Sequence, residues 1–309
     1  MYNFEIEKRK SELFERVRFF FKKNNFIEVS TPSLSPTTIP EHTIALFSTK
    51  HKGEFTNERM LYLLPSPELY MKKMLSKFNK SIFQISKAYR NAEQTSPIHK
   101  NEFTMLEYYK VDADYNNTIG LTINLIKDVF FDAKDNALLN NPIITTINDL
   151  LVRFASITLE ELHLENMRTY IEHKFNLVLP KNESFDDTFN RVFLNIIEPK
   201  LKDYNQPVFI KDYPIEIECL AKEKNTLERE RFEMYFKGIE IANGYSEMTD
   251  NAKIKELFKS ESGKITQHQD IDVELMKIKM PKSSGVAIGI DRLIMVSEQI
   301  SNINDLNFY

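Results

Sequence analysis

Residues 82–111 read IFQISKAYRNAEQTSPIHKNEFTMLEYYKV. The pattern predicts two strands joined by a long polar loop, with the first strand, IFQISKAY, ending at Arg90 and the second, EFTMLEYYKV, starting at Glu102. With a side-chain period of two, Phe103, Met105, Glu107 and Tyr109 share one face. An ordinary core face would not hold Glu107 between large side chains, because an unpaired buried carboxylate is costly or gives up its charge. Spacing alone leaves two readings open: a half-exposed hairpin whose acid meets water, or a face built for a ligand.

On the N-terminal side, Glu5 to Asn24 has the periodicity of an amphipathic helix, with Ile6, Leu13, Val17, Phe20 and Phe21 among charges. Ile27 and Val29 form a short strand that Pro32 ends, and this unit reads either as scaffold or as a dimer contact. Leu61 to Leu64 is a further short strand, followed by a helix over LYMKKMLSKF. Ser66 can cap that helix, Pro67 suits its first turn, and Glu68 sits by its positive end.

On the C-terminal side, ERERFEMYFKGIEIANGYSEMTD predicts a hairpin turning at Lys237-Gly238. A two-residue turn puts Glu233 and Glu240 on one face, where like charges repel unless water or a cation separates them. The chain is expected to break again at Asn243-Gly244, just before Glu247. KSSGVAIGIDRLIMV, 282–296, predicts a small-residue strand and then a helix from about Asp291. Arg292 in that first turn opposes the helix dipole, a local conflict of the kind that accompanies function.

The middle, about 116–202, shows amphipathic helices over TIGLTINLIKDVFFDA and NESFDDTFNRVFLNIIEPKL and no repeat. His163 and His173 read there as surface residues rather than metal ligands. The chain has 309 residues and a net charge of −4, which offers no broad basic field for nucleic acid. The single cysteine, Cys219, excludes an internal disulfide framework and reads as a small core residue in a reducing compartment. No export signal or apolar span is evident, so a cytoplasmic protein without membrane contact is expected. No GxxxxGK[ST] pattern occurs, so any ATP site would not be a P-loop.

Taken in order, the helix and strand ending at Pro32, the YRNAE…HKNEFTMLEYY segment and SGVAIGIDRL resemble the three signature motifs of class II aminoacyl-tRNA synthetases. PSPELYMKKML, NEFTMLEYYKVDADY and GIEIANGYSE are closest to the lysyl branch. The first motif begins near Met1, so no N-terminal anticodon-binding domain is expected. In this the chain resembles the elongation factor P–(R)-β-lysine ligases, truncated paralogues of lysyl-tRNA synthetase.

The resemblance implies an α+β fold: a class II catalytic domain spanning 1–309, mostly antiparallel sheet flanked by helices, in a homodimer. It implies activation of (R)-β-lysine or lysine by ATP, with Mg2+, and transfer to a lysine of elongation factor P, tRNA being an unlikely acceptor. Arg90 matches the arginine on the α-phosphate, Phe103 the ring under adenine and Arg292 the guanidinium above it. Glu233 and Glu240 match magnesium ligands, and Ile241 and Gly289 lie beside the nucleotide. Ser66, Pro67 and Glu68 match the end of the amino acid that carries its carboxylate and nearer amine. Glu107, Tyr109, Asn243 and Glu247 match the pocket for its distal ammonium. Ala287 stands where lysyl-tRNA synthetases commonly carry glycine.

Departures cluster in the loop of the second motif. After Arg90 and Asn91, Ala92 replaces the expected glutamate and Glu93 follows it. Lys100 stands at the nucleotide-binding asparagine, with Asn101 one position on, and either takes that role. A minimal lysyl-tRNA synthetase and a non-catalytic ATP- or amino-acid-binding paralogue are the competing readings.

Overall fold

The structure is a computed structural model and describes residues 4–53, 57–91, 96–180, 183–266 and 268–306. Helix α1 (Phe4–Lys23) leads into β1 (Ile27–Glu28), and β2 (Leu34–Ser35), β3 (Phe47–His51) and β4 (Arg59–Leu63) follow. Helix α2 (Glu68–Phe78) then precedes the predicted hairpin, β5 (Ile82–Tyr89) and β6 (Glu102–Val111). Next come α3 (Tyr115–Val129), β7 (Ile143–Thr146), a run of short helices, and β8 (Val208–Pro214). The chain closes with β9 (Glu228–Phe236), β10 (Ile239–Ser246), a helix over Asn251–Lys264, β11 (Ser283–Gly289) and a helix over Ile290–Ser297.

Eight strands form one sheet in the order β1-β5-β6-β11-β10-β9-β8-β7, antiparallel except for the edge pairs β1–β5 and β7–β8. Strands β2, β4 and β3 form a small second sheet. This is the expected α+β arrangement, mostly antiparallel sheet flanked by helices.

The period-two pattern sorts the two faces of the large sheet. Leu106 and Tyr108 of β6, Phe232 and Met234 of β9, and Val286 and Ile288 of β11 join α1 and α3 in the main core. Each such fully buried side chain contributes roughly 1.5–3 kcal/mol. The Tyr108 hydroxyl bonds the Thr118 carbonyl at 3.0 Å and the Thr122 hydroxyl at 2.8 Å, tying β6 to α3. The alternate residues of the same strands face the opposite way, into a cavity. A second core, including Ile147, Ile171, Phe189, Ile197 and Ile210, packs the short helices of the middle against β8.

Two local expectations change. Asn243-Gly244 does not break the chain, since β10 runs through to Ser246. Glycine is required there by close packing: a Cβ on Gly244 would lie 2.8 Å from the Phe232 ring and from the Gly285 carbonyl. Pro67 stands at the cap of α2 rather than in its first turn, while the Ser66 hydroxyl accepts from the Glu68 amide at 3.1 Å. The turn at Lys237-Gly238 is as expected, with both residues at positive φ and Phe236 paired with Ile239. No described helix is long and apolar enough to cross a membrane.

Candidate active site

The uncovered face of the sheet carries a cavity of about 620 Å³. All four residues of the odd β6 face, Phe103, Met105, Glu107 and Tyr109, line it. It is also lined by Ser66, Glu68, Arg90, Lys100, Glu233, Glu240, Ile241, Asn243, Glu247, Ala287, Gly289 and Arg292. Register explains the gathering, because Glu107 pairs across the sheet with Ala287, and Ala287 with Asn243. Residues opposite one another share a face.

At one end lies an acidic pocket. The Tyr109 hydroxyl donates to Glu107 Oε1 at 2.6 Å, and Glu107 is buried. The Tyr245 hydroxyl donates to Glu68 Oε1 at 2.6 Å. Lys72, one helical turn beyond Glu68, places its Nζ 2.6 Å from Glu68 Oε1 and 2.9 Å from Glu247 Oε2. Two buried oxygens, Glu107 Oε2 and Glu247 Oε1, have no hydrogen-bond donor among the described residues. Burial pushes the Glu107 carboxyl up to about 8, and the Glu68 charge adds to this. Burial likewise raises Glu247 to about 7, against the pull of Lys72. For Lys72 burial opposes the charge, but Glu247 and Glu68 outweigh it and hold the ammonium above the ordinary lysine range.

Gly285 forms the floor. A Cβ there would lie 2.4 Å from Tyr109 Cε1 and 2.9 Å from Glu247 Oε1, so only glycine lets both groups reach the pocket.

At the other end the lining turns basic and aromatic. The Arg90 guanidinium lies 5.4 Å from the centre of the Phe103 ring. Arg292 Nε donates to the Ile98 carbonyl at 3.1 Å, and its Nη1 to the Glu240 carbonyl at 3.0 Å. This tethering holds an arginine in a first helical turn against the dipole. Its neighbour Asp291, almost fully buried, accepts from the Thr104 amide at 2.7 Å and pins the helix to β6. Lys100 lines the cavity, and burial lowers its affinity for a proton. Asn101 instead turns to the chain itself, donating to the carbonyls of Arg90 at 2.8 Å and Asn91 at 3.0 Å. Asn91, Asn101 and Pro67 are not part of the lining, while Ala92 and Glu93 lie outside the described residues.

Glu233 and Glu240 face the cavity together, as the two-residue turn requires. Glu233 accepts from Arg231 at 2.7 Å on one oxygen and from the Tyr235 hydroxyl at 2.9 Å on the other. Burial raises Glu240 to about 7, with Glu233 the next contribution. Each carboxylate keeps spare lone pairs. Two carboxylates suit Mg2+, which takes its remaining oxygens from phosphate and water. Among the described residues no group of three His, Cys, Asp or Glu side chains could hold a metal unaided. The donor set therefore fits an ion that arrives with a polyphosphate.

Several groups in or behind the site escaped the sequence reading. Lys72 had a signal, since residues i and i+4 share a helix face. Tyr245 and Arg231 had one too, each two residues from a named acid, Arg231 on the strand that carries Glu233 and Tyr245 at the end of β10, just before Glu247. Cys219 is only partly buried and lines the cavity, contrary to the core position expected for it. His163 and His173 are exposed, as expected, and His163 Nε2 meets Glu216 Oε1 at 2.7 Å.

The family model of class II tRNA synthetases (D, K and N) matches residues 3–309. A lysine–tRNA ligase of Buchnera aphidicola subsp. Cinara cedri is 34% identical over 98% of this chain and 63% of its own length. An elongation factor P–(R)-beta-lysine ligase of Vibrio cholerae is 31% identical over 94% of this chain and 90% of its own. One from Haemophilus influenzae is 29% identical over 96% and 92%. The chain thus spans less than two thirds of such a lysine–tRNA ligase and about nine tenths of the elongation factor P ligases.

Proposed function

The chain belongs to the family of class II tRNA synthetases (D, K and N), and on that footing we propose that it activates (R)-β-lysine or lysine with ATP and ligates it to a lysine side chain of elongation factor P. The observation that carries the substrate class is the acidic pocket. Glu68, Glu107 and Glu247 against Lys72 leave two uncompensated negative charges when all are ionised, and two buried carboxylate oxygens await donors. A diamino acid brings two ammonium groups. Its distal ammonium meets Glu107 and Glu247, and its nearer amine meets Glu68 beside Ser66. An uncharged isostere leaves the buried acids unpaired, which is the kind of mismatch a site rejects most strongly.

In the first half-reaction the amino-acid carboxylate oxygen attacks the α-phosphorus, and the bond to pyrophosphate breaks. Arg90 offers a planar fork for two α-phosphate oxygens, and Phe103 offers adenine a flat apolar surface. Arg292 and Lys100 supply further positive charge along the phosphates, where charge accumulates in the transition state. Glu240 and Glu233 would hold Mg2+, which neutralises phosphate charge when bound. In the second half-reaction the acceptor amine attacks the acyl carbon and AMP leaves. We also read the protein as cytoplasmic and homodimeric.

The choice of acceptor rests on the relatives matched along nine tenths of their length. Aminoacylation of tRNA is the competing reading, favoured by the 34% identity to a lysine–tRNA ligase. Purified protein with ATP, Mg2+ and radiolabelled lysine or β-lysine, offered elongation factor P or tRNA, separates the two. Label is expected on elongation factor P, and label on tRNA alone overturns the choice. Norleucine is expected to support pyrophosphate exchange at least ~10³-fold less well than lysine.

A further inference from the structure

We propose that Glu41 is the general base that takes the proton from the acceptor ammonium during transfer, an inference that rests on the amine-acceptor reading above. An alkylammonium holds its proton to a pKa of about 10.4, so at neutral pH only roughly one acceptor in 10³ is nucleophilic. A group positioned to remove that proton is worth ~10²–10⁴ in rate.

Residues 39–45, between β2 and β3, form a wall of the cavity. The wall is clamped along its length. The Thr38 amide donates to the Asp270 carbonyl at 2.8 Å, and the Asp272 amide to the Thr38 carbonyl at 2.9 Å. The His42 amide donates to Glu261 Oε2 at 3.1 Å, with its Nδ1 2.8 Å from the same oxygen. The Asn91 amide donates to the Ala45 carbonyl at 2.9 Å, fixing the wall next to Arg90. Glu41 stands in this frame, half-buried.

The charges that act on Glu41 are Glu68, Arg90, Lys72 and Glu261. Glu68 and Lys72 belong to the amino-acid end and Arg90 to the phosphate end. Glu41 lines the cavity that holds both half-sites, in a wall that the Ala45 carbonyl ties to Asn91, next to Arg90. Burial, followed by Glu68, pushes its carboxyl up to about 7, a value matched to proton transfer at neutral pH.

The other acids of the cavity, Asp186 apart, each have a partner or a proposed ligand. Glu240 lies 3.8 Å from Arg292 and is assigned to Mg2+, Asp187 accepts from Ser184, and Asp291 accepts from the Thr104 amide. The spare oxygens of Glu107 and Glu247 are assigned to the distal ammonium. Glu68 and Glu247 hold Lys72, and Glu107 accepts from Tyr109. Glu233 accepts from Arg231 and Tyr235, and Glu261 from His42. Glu218 accepts from Ser260 and Lys264. Asp186 feels Lys264, Glu218, Asp187 and Glu216 rather than either half-site. Glu41 makes no side-chain hydrogen bond or ion pair among the described residues.

The step balances as follows. The acceptor ammonium gives one proton to the Glu41 carboxylate, and the freed nitrogen lone pair forms the N–C bond to the acyl carbon. The bond from that carbon to the phosphate oxygen breaks, and AMP leaves with the electron pair. The second N–H proton passes to water as the amide forms.

The test uses the full chain and the variants Glu41→Gln and Glu41→Asp. Single-turnover transfer to elongation factor P is followed from preformed adenylate, alongside lysine-dependent pyrophosphate exchange. Hydroxylamine, an amine neutral at pH 7 that needs no base, serves as a second acceptor. Glu41→Gln is expected to slow transfer to elongation factor P by ~10²–10³-fold. Exchange and hydroxamate formation should stay within a few-fold of the parent, Glu41→Asp should recover part of the rate, and raising the pH should narrow the gap. Transfer by Glu41→Gln at the parent rate overturns the assignment, as does an equal loss with hydroxylamine. If the parent protein labels tRNA and leaves elongation factor P unlabelled, the acceptor reading itself falls.

Discussion

At the scale of single residues, the pocket proposed for the diamino acid holds unmet acceptor capacity among the described residues. Glu107 binds its proton more tightly in the folded, ligand-free protein than in the unfolded chain, because burial raises it from 4.5 to about 8. The ligand-free protein therefore loses stability as pH rises between those values, since the native state holds the extra proton. A bound ammonium restores the ionised form, so lysine binding should release protons and tighten as pH rises from about 6 to 8. Calorimetry in buffers of different ionisation enthalpy measures this directly, and pH-independent affinity would contradict the assignment of Glu107. Gly285→Ala should be severe for its size. The new methyl collides with Tyr109 and Glu247, and overpacking of this kind costs about 1–3 kcal/mol. We expect a raised KM for lysine and an almost unchanged KM for ATP in pyrophosphate exchange; an unaltered KM for lysine would show that the pocket tolerates the methyl.

At the scale of elements, the site depends on how each strand or helix is tied to its neighbour. Helix α2 is anchored at Lys72, whose ammonium sits between Glu68 and Glu247. Lys72→Met keeps the apolar stem but leaves two acids without their cation, and breaking a buried pair from one side costs about 3–5 kcal/mol. Urea unfolding should show a loss of that order, and a change below about 1 kcal/mol would mean that water reaches these acids. The β5–β6 loop is braced by Asn101, whose amide holds the carbonyls of Arg90 and Asn91. Asn101→Ala should lower kcat for adenylate formation about tenfold through misplacement of Arg90, while lysine affinity stays constant. An equal loss in lysine affinity would place Asn101 in the amino-acid pocket instead.

At the scale of the whole molecule, one sheet separates two environments. One face packs α1 and α3 into the main core, and the other exposes the cavity. A ligand that binds only the folded form raises its stability by mass action. Because no described group of three acids could bind a metal unaided, chelator alone should leave the melting temperature of the free protein unchanged. The same chelator should abolish most of the rise in melting temperature that ATP with Mg2+ produces. A drop on adding chelator to the free protein would reveal a resident metal.

The chain's own residues determined the element types around the site, because strand period and turn chemistry are local. The odd face of β6, the turn at Lys237-Gly238 and the strand-to-helix change near Asp291 were all legible. So was the expectation that Glu233 and Glu240 would share a face, since a two-residue turn pairs Glu240 with Tyr235, two residues from Glu233; the register shift just beyond Glu240 was not legible. Four residues on a strand can announce a ligand face in this way, but cannot show what stands opposite. Only the tertiary structure decided that Asn243-Gly244 is a close-packed strand and not a turn. It also decided that Asn101 braces the loop while Lys100 faces the cavity, and that Lys72 bridges Glu68 and Glu247. Glu41 had no sequence signal, because its loop has no periodicity from which a direction can be read. The role proposed for it rests on the cavity wall in which it stands, and that wall meets the rest of the site only when the chain is folded.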